Sequence, residues 1–494
     1  MEDTIMIQVI KNKEGTNIKE FVCDKKADMA DIDLRVCGMG TTCFVIDEDK
    51  NYMVDGDKEW KEVNLAGASG DEDSFLTDYL NGTVTEIKTP EGVTKIRDAA
   101  FRAIPEHLDY GDYLYLPIEK LTITGNVQEI GKYAFSGVAS LKNVSIEHGL
   151  KTIKEHAFTE CTSLQAINIP NSVTTIGDGA FSYSGLISID IPESVINIGG
   201  WVLQRCDSLV TAKLPKTWVS IPDGLFSNCG SLTNFEINNG VTAIGGEAFR
   251  NTGLTSINIP NSVTTIGDAA FCYSGLTSID IPNSVTTIGS SAFEGCSSLR
   301  SISLPSEIIA INRQTFGYSG LTSINIPNKV TSIGERAFYK CESLPSINIP
   351  NSVTTIGSYA FGNCTALTSI EIPEGVISIG SDAFDSCTAL TTANLPSTLT
   401  SISNYMFAYC SSLSSINIPN SITTIGDKAF RDCTSLKEIY LPSSIKTIWA
   451  SSFTGCSGIT FNCGFAKGDV SIKSNLGAKN ATFNYNVPAP SAEE

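Results

Sequence analysis

Apolar residues in this chain fall into two short bursts that recur at a fixed distance, and this pattern governs the sequence from about residue 85 onward. Each unit reads Leu-x-x-Ile-x-Ile-Pro-x-x-Val-x-x-Ile-Gly-x-x-Ala-Phe-x-x-Cys-x-x. The string Ile-Pro-Asn-Ser-Val-Thr-Thr-Ile-Gly occurs at 169–177, 259–267, 281–289 and 349–357, with a near copy at 418–426. Aligned on the Phe, 16 units run from Phe101, Phe135 and Phe158 through Leu203 and Phe226 to Phe453, and every spacing after Phe135 is 22 or 23 residues. Leu, Ile and Ile at positions 1, 4 and 6 predict a short strand, ended by a proline that cannot donate to a ladder. Val at position 10 and Ile at 13 turn inward on the return side, Gly at 14 is expected to permit a bend, and Ala-Phe at 17–18 closes the coil. One unit has too little apolar surface to fold alone, but stacked units bury continuous columns of Leu, Ile, Val and Phe. The prediction is a β-rich repeat solenoid of about 16 coils, preceded by a small N-terminal β-module.

These units resemble leucine-rich repeats, specifically the BspA-like (treponemal-type) class, from about 85 to 456. The resemblance implies a non-enzymatic binding solenoid. One departure matters: the asparagine that follows the strand in commoner leucine-rich repeats is replaced by Ser, Gly or Thr, so its bonding role is not carried over.

The repeat also accounts for an unusual composition, 41 Gly and 15 Cys in 494 residues. Ten cysteines (161, 206, 229, 296, 341, 364, 387, 410, 433 and 456) hold one repeat position, at a tight inward turn. They are read as buried free thiols acting as small hydrophobes, since equivalent positions on stacked coils do not face one another for a disulfide. Where the cysteine is missing, the unit shortens to Ser-Gly or Thr-Gly, as at Ser184, Thr252, Ser274 and Ser319. Unpaired thiols fit folding in a reducing compartment. No Cys-x-x-Cys or Cys/His zinc spacing is present, and Cys23, Cys37, Cys43, Cys272 and Cys463 lie off the ladder.

The charge is −19, with 19 acidic and 9 basic residues in 1–80 alone. Without a cluster of Lys and Arg, nucleic acid is not an expected partner. No apolar run approaches the length of a membrane span, and the first residues lack a signal-peptide pattern. No nucleophile elbow, phosphate loop or dinucleotide fingerprint occurs, and the three histidines have no catalytic spacing. His156 is expected to be exposed. Accordingly no catalytic residue, metal or cofactor is expected.

The expected organisation is a β-module at 1–66, an acidic linker and short helix (Ser74–Leu80) within 67–84, the solenoid at 85–456, a C-terminal cap at 457–486 and a tail at 487–494. Within the module, Thr42–Ile46, Asn51–Val54 and Glu59–Val63 read as a three-stranded meander. The acidic run at Asp47, Glu48 and Asp49 lacks a calcium-loop pattern and reads as a solvated hairpin. The segment Cys43-Phe-Val-Ile-Asp…Asn-Tyr-Met-Val-Asp-Gly…Glu-Trp-Lys-Glu-Val63 resembles a small β-module at the N-termini of tailed-phage and prophage virion proteins, as do Phe75–Ile87 and Asn475–Tyr485. That resemblance implies a virion component, with 1–66 contacting other virion proteins and the solenoid recognising a host-surface glycan or protein. The alternatives are a bacterial cell-surface BspA-like adhesin and an intracellular scaffold. A homo-oligomer is compatible with the sequence, although no coiled-coil heptads demand one.

The binding surface is expected on solvent-facing strand positions and on divergent units. Positions 3 and 5 carry Ser, Asn and Asp, represented by Ser256, Asn258, Asp280, Asn325 and Asn348. The most divergent stretch, 201–218, contributes Trp201, Arg205 and Lys213. Trp201 falls at an ordinarily exposed position, and an exposed indole beside cationic residues is a usual anchor for a partner. Trp218, at the Val position, and Trp449, at the Gly position, are expected to pack inward. Tyr183, Tyr273, Tyr318 and Tyr409 share a position two residues after the Phe and read as edge-packing residues.

Overall fold

The computed structural model describes residues 8–11, 18–22, 85–89, 92–96, 98–103, 116–472 and 476–489. The expected meander, the acidic hairpin and the short helix at 74–80 lie outside the described residues, as do Cys23, Cys37 and Cys43. Near the N-terminus, Gln8–Lys11 and Ile18–Val22 form an antiparallel pair with a register shift at Ile10/Lys11. No helix occurs among the described residues. The remainder is a β-solenoid of about 16 turns, divided into two compact units, Met1–Gly240 and Val241–Glu494.

Two parallel ladders run through each unit. The first joins the Ser-Ile-Asp-type strands at positions 3–5. In the first unit these include Lys120–Ile123 and Asn143–Ile146, and in the second Ser369–Glu371, Thr392–Asn394 and Ser415–Asn417. The inner residue is buried and its neighbours are exposed, because successive side chains of a strand point to opposite faces. The second ladder joins two-residue Thr-Ile strands on the return side, such as Thr152–Ile153, Thr175–Ile176 and Asn197–Ile198. The return segment is therefore a strand in its own right, too short to be recognised from alternation.

The phenylalanine column fills the core. Phe135, Phe158 and Phe181 stack at 5.2 and 5.6 Å between centroids. In the second unit the series from Phe249 to Phe453 continues at 5.1–5.8 Å, nearly parallel. Around each Phe the backbone alternates. His156, Phe158 and Glu160 donate their N–H to carbonyls of the next coil, while Ala157, Thr159 and Cys161 donate back three residues. That alternation places two residues per coil in the left-handed region, two before and two after the Phe, and most are not glycine: Trp201 and Arg205 (φ 53° each), Tyr405 and Tyr409 (φ 55° and 60°). Each costs about 1–2 kcal/mol, borne by the ladder bonds on both sides.

Glycine at position 14 has a different job from the expected bend. Its φ is not left-handed; instead, a Cβ on Gly177 would lie 2.5 Å from the backbone nitrogen of Glu155, and one on Gly380 would lie 2.4 Å from that of Ser358. The glycine lets consecutive coils approach closely, and its own N–H reaches the carbonyl of the preceding coil's Ile, as from Gly177 to Ile153 and Gly380 to Ile356 (2.8 Å each).

The ten ladder cysteines are buried and free. They are more than small hydrophobes: each Sγ–H donates to the carbonyl at the Phe position of the preceding coil, at 3.1–3.3 Å, as from Cys364 to Phe338 and Cys433 to Phe407. The thiol column thus satisfies a column of buried carbonyls, and in the shorter coils the hydroxyls of Ser184, Ser274 and Ser319 pair with the following coil's thiol. Burial pushes the thiols from Cys161 to Cys433 up, to about 11 at Cys206 and Cys296 and about 12 at Cys341, whereas a hydrogen bond with Cys433 lowers that of Cys456.

Candidate functional site

The second ladder is interrupted in three places, and each follows from the residue at position 14. Asn312 and Ser403 replace glycine in two coils of the second unit, and there the strand pairs break. Both side chains plug the gap: Asn312 Nδ2 donates to the Ile288 carbonyl and Ser403 Oγ to the Ile379 carbonyl, at 2.6 Å each. In the first unit the ladder ends at Asn197–Ile198, and Ser220–Ile221 of the next coil does not continue it. The position-14 residue here is Pro222, which has neither an N–H nor a polar side chain to offer the Ile198 carbonyl. Loss of glycine alone does not break the ladder, since Lys154 and Trp449 keep their backbone bonds to Ile130 and Ile425 (2.9 Å each).

At this unplugged interruption the surface opens into a cleft of about 820 Å³, lined within the first unit by residues from Glu155 to Asp223. The local sequence builds it. Gly200 stands where other coils carry Asp178, Asp268 or Asp427, so no side chain fills the space beside Trp201. Trp218 replaces the usual Val, packs inward as expected at 7% exposure, and donates Nε1–H to the Val195 carbonyl at 2.9 Å. Trp201 is 40% exposed, and its ring lies over Gly224, where a Cβ would come within 2.1 Å of Cδ1. Ile196 and Val219, 70% and 64% exposed, give the cleft apolar edges. Glu155, Asp178 and Asp223 supply carboxylates. Asp178 Oδ1 accepts the Gly200 N–H at 2.7 Å, and Glu155 pairs with Lys132 at 3.2 Å. A backbone N–H, aided by Lys132, holds the Glu155 carboxyl below its ordinary range despite partial burial. Meanwhile Trp201, Leu203 and Arg205 still donate to Asp223, Leu225 and Ser227 of the next coil (2.8, 3.2 and 2.8 Å), so the loop side stays closed while the ladder side opens.

The residues expected to bind are distributed differently. Only Trp201 lines the cleft. Arg205 lies on the loop side with its guanidinium 5.3 Å from the Tyr183 ring centroid. Lys213 projects from the first ladder toward Asp190 at 3.4 Å. The expected grouping of Trp201, Arg205 and Lys213 is thus divided among three surfaces, because positions 16, 20 and 5 of a coil face different ways. Ser256, Asn258, Asp280, Asn325 and Asn348 are exposed in the second unit, where Asn325 and Asn348 form a parallel bridge and Asp280 accepts a hydrogen bond from Ser303 (2.8 Å).

Two further expectations are corrected. Trp449 is 48% exposed, since position 14 faces the neighbouring coil's backbone and the indole has no route into the core. His156 is half-buried, stacked on Tyr133 at 4.9 Å, and burial lowers its pKa. The four tyrosines are exposed; three hold a cation from the next coil, Arg205 on Tyr183, Lys340 on Tyr318 and Arg431 on Tyr409. Sequence reasoning missed the cleft itself. Its signals were Pro222 and the Gly199-Gly200 pair, the first in the glycine column and the second in the aspartate column.

Among the described residues, no cluster of His, Cys, Asp or Glu could hold a metal. A profile of the BspA type leucine rich repeat region matches residues 108–230, 219–344 and 331–460. No curated protein matches the chain. A leucine-rich repeat protein from Bacteroides ovatus is 24% identical, with 95% of this chain and 98% of that one covered and a TM-score of 0.56, a likeness of fold. A leucine rich cell surface protein from Faecalibacterium prausnitzii is 29% identical over 78% of this chain and 89% of its own, at a TM-score of 0.35.

Proposed function

This chain belongs to the BspA-type leucine-rich repeat family, and on that premise we propose that it is a non-catalytic recognition protein displayed at a bacterial cell surface. Proteins of this family are typically found there. The observation that carries a recognition role is the unplugged interruption at Pro222: an otherwise monotonous array opens a cleft beside an exposed indole. Residues in loops and ladder ends are free to vary while the buried columns hold the fold, which is how a repeat scaffold acquires a binding surface. The virion placement expected from residues 43–63 gains no support from the family match, which begins at residue 108. Antibody labelling of intact cells of the native organism, alongside purified phage particles from the same culture, tests the location. Labelling of intact cells is the expected result. Recovery in the particles with none on the cell envelope would overturn it in favour of a virion component.

A further inference from the structure

The ladder thiols are buried, three of the exposed tyrosines hold a cation of the next coil, and the strand face repeats small polar side chains. The cleft combines three properties: a volume of about 820 Å³, an exposed indole, and a lining that holds exposed apolar edges together with three carboxylates.

We propose that this cleft is a saccharide-binding site, in which Trp201 stacks against the C–H face of a sugar ring while Asp178 and Asp223 accept hydrogen bonds from its hydroxyls. The inference deepens the recognition role proposed above and rests on it. The volume falls within the range of about 300–1,000 Å³ that small-ligand sites occupy. An aromatic face carries negative charge density, which attracts the weakly positive C–H groups on one side of a pyranose. The Trp201 ring is supported from one side by Gly224, so its orientation is set before a ligand arrives. Preorganisation of this kind lowers the entropic cost of binding. Asp178 is likewise fixed, with Oδ1 held by the Gly200 N–H at 2.7 Å, which leaves Oδ2 as an acceptor of defined direction.

The lining also discriminates between donor-rich ligands. Its charged side chains are all carboxylates (Glu155, Asp178, Asp223), Thr175, Asn197, Thr217 and Ser220 add groups that both donate and accept, and no Lys or Arg is among its residues. A sugar supplies hydroxyl donors and an apolar face in one rigid body, matching the juxtaposition of Ile196, Val219 and Trp201 with those acceptors. A cationic side chain is matched less well. Glu155 already has Lys132 as its partner, and a single open indole is not the closed set of rings that selects an ammonium group.

Calorimetry and tryptophan fluorescence on the full chain, with chitotriose, cellotriose, maltotriose and 3′-sialyllactose as probes and a trilysine peptide as the cationic comparison, test the proposal. Two variants address the site. Trp201→Ala removes the platform, with Trp201→Phe as its conservative rescue. Gly200→Asp installs the residue that other coils carry at this position and fills the cleft without introducing a residue foreign to the repeat. At least one saccharide is expected to bind. Its affinity should fall by about tenfold or more in Trp201→Ala and Gly200→Asp and return to within a few-fold in Trp201→Phe, with the melting temperature of each variant near that of the parent. Absence of saccharide binding at about 10 mM ligand overturns the proposal. So does binding that neither variant weakens, and so does binding of trilysine alone that high salt abolishes. Cell-surface labelling is measured independently, so a negative binding result leaves the proposed location standing.

Discussion

Alkaline pH should unfold this solenoid through its thiol column, and the effect can be traced to one residue. Cys341 is fully buried, donates to the Phe316 carbonyl at 3.1 Å and contacts Ser319 Oγ at 3.3 Å. Burial raises its pKa from 9.0 to about 12. A group whose folded pKa is raised stabilises the fold fully below its unfolded value and loses that contribution as pH climbs toward the folded one. The window therefore runs from about 9 to about 12. At about pH 10.5 the unfolded thiol has ionised and the buried one has not, so Cys341 disfavours the folded state by roughly 2 kcal/mol relative to neutral pH. Cys341→Ser removes the titration but keeps a hydroxyl donor for the Phe316 carbonyl, at a neutral-pH cost of about 1 kcal/mol. Urea midpoints of parent and variant, measured under reducing conditions across this range, should differ by a constant amount between about pH 6 and 8. Above about pH 9 the variant should gain on the parent by about 1.4 kcal/mol per pH unit. A midpoint difference that stays constant through about pH 10.5 would refute the reasoning, because it would mean that Cys341 ionises as readily in the folded coil as in the unfolded chain.

Other consequences concern single backbone positions. Gly380→Ala should cost about 1–3 kcal/mol, since its Cβ would sit 2.4 Å from the Ser358 nitrogen and 2.7 Å from the Gly357 carbonyl carbon, backbone atoms with little room to yield; an unchanged denaturation midpoint would contradict the close-approach account of this column. Ser291→Gly should stabilise by up to about 1 kcal/mol, because relief of a left-handed residue (φ 56°) outweighs the added freedom of the unfolded chain. Ser290→Gly, outside the left-handed region, should destabilise instead, and equal effects at both positions would contradict the assignment of strain.

Most of the fold was legible because a repeat restates its own constraints. Ile at 4 and 13, Ala-Phe at 17–18 and Cys at 21 recur often enough to identify buried columns without any propensity argument, and they mark the coils from about 85 to 456. What escaped notice were relations between coils rather than within one. Glycine at position 14 reads as a bend when a coil is considered alone; its reason, the preceding coil's backbone, which a Cβ there would meet at 2.4–2.8 Å, exists only in the stack. The thiol's bond to the preceding coil's carbonyl is of the same kind. Left-handed residues were invisible because Tyr, Arg, Ser and Asp all occupy those positions and only a few coils use glycine there, as at Gly179 and Gly224. The candidate site was half legible. Trp201 stood out as an exposed aromatic residue in a divergent coil, but Arg205 and Lys213 were grouped with it on sequence proximity, and a coil turns neighbours in sequence onto separate surfaces. Pro222 was the missing clue, a residue without an N–H in the one column where every coil needs a donor.

Ligand recognition at the interrupted ladder of the first unit can be read from the indole ¹⁵N–¹H signals of the full chain. On saturation with the best-binding trisaccharide, the Trp201 signal should shift strongly. Trp218, whose Nε1–H is committed to the Val195 carbonyl, should respond weakly, and Trp449 should keep its position. A shift at Trp449 with Trp201 unmoved would contradict the account.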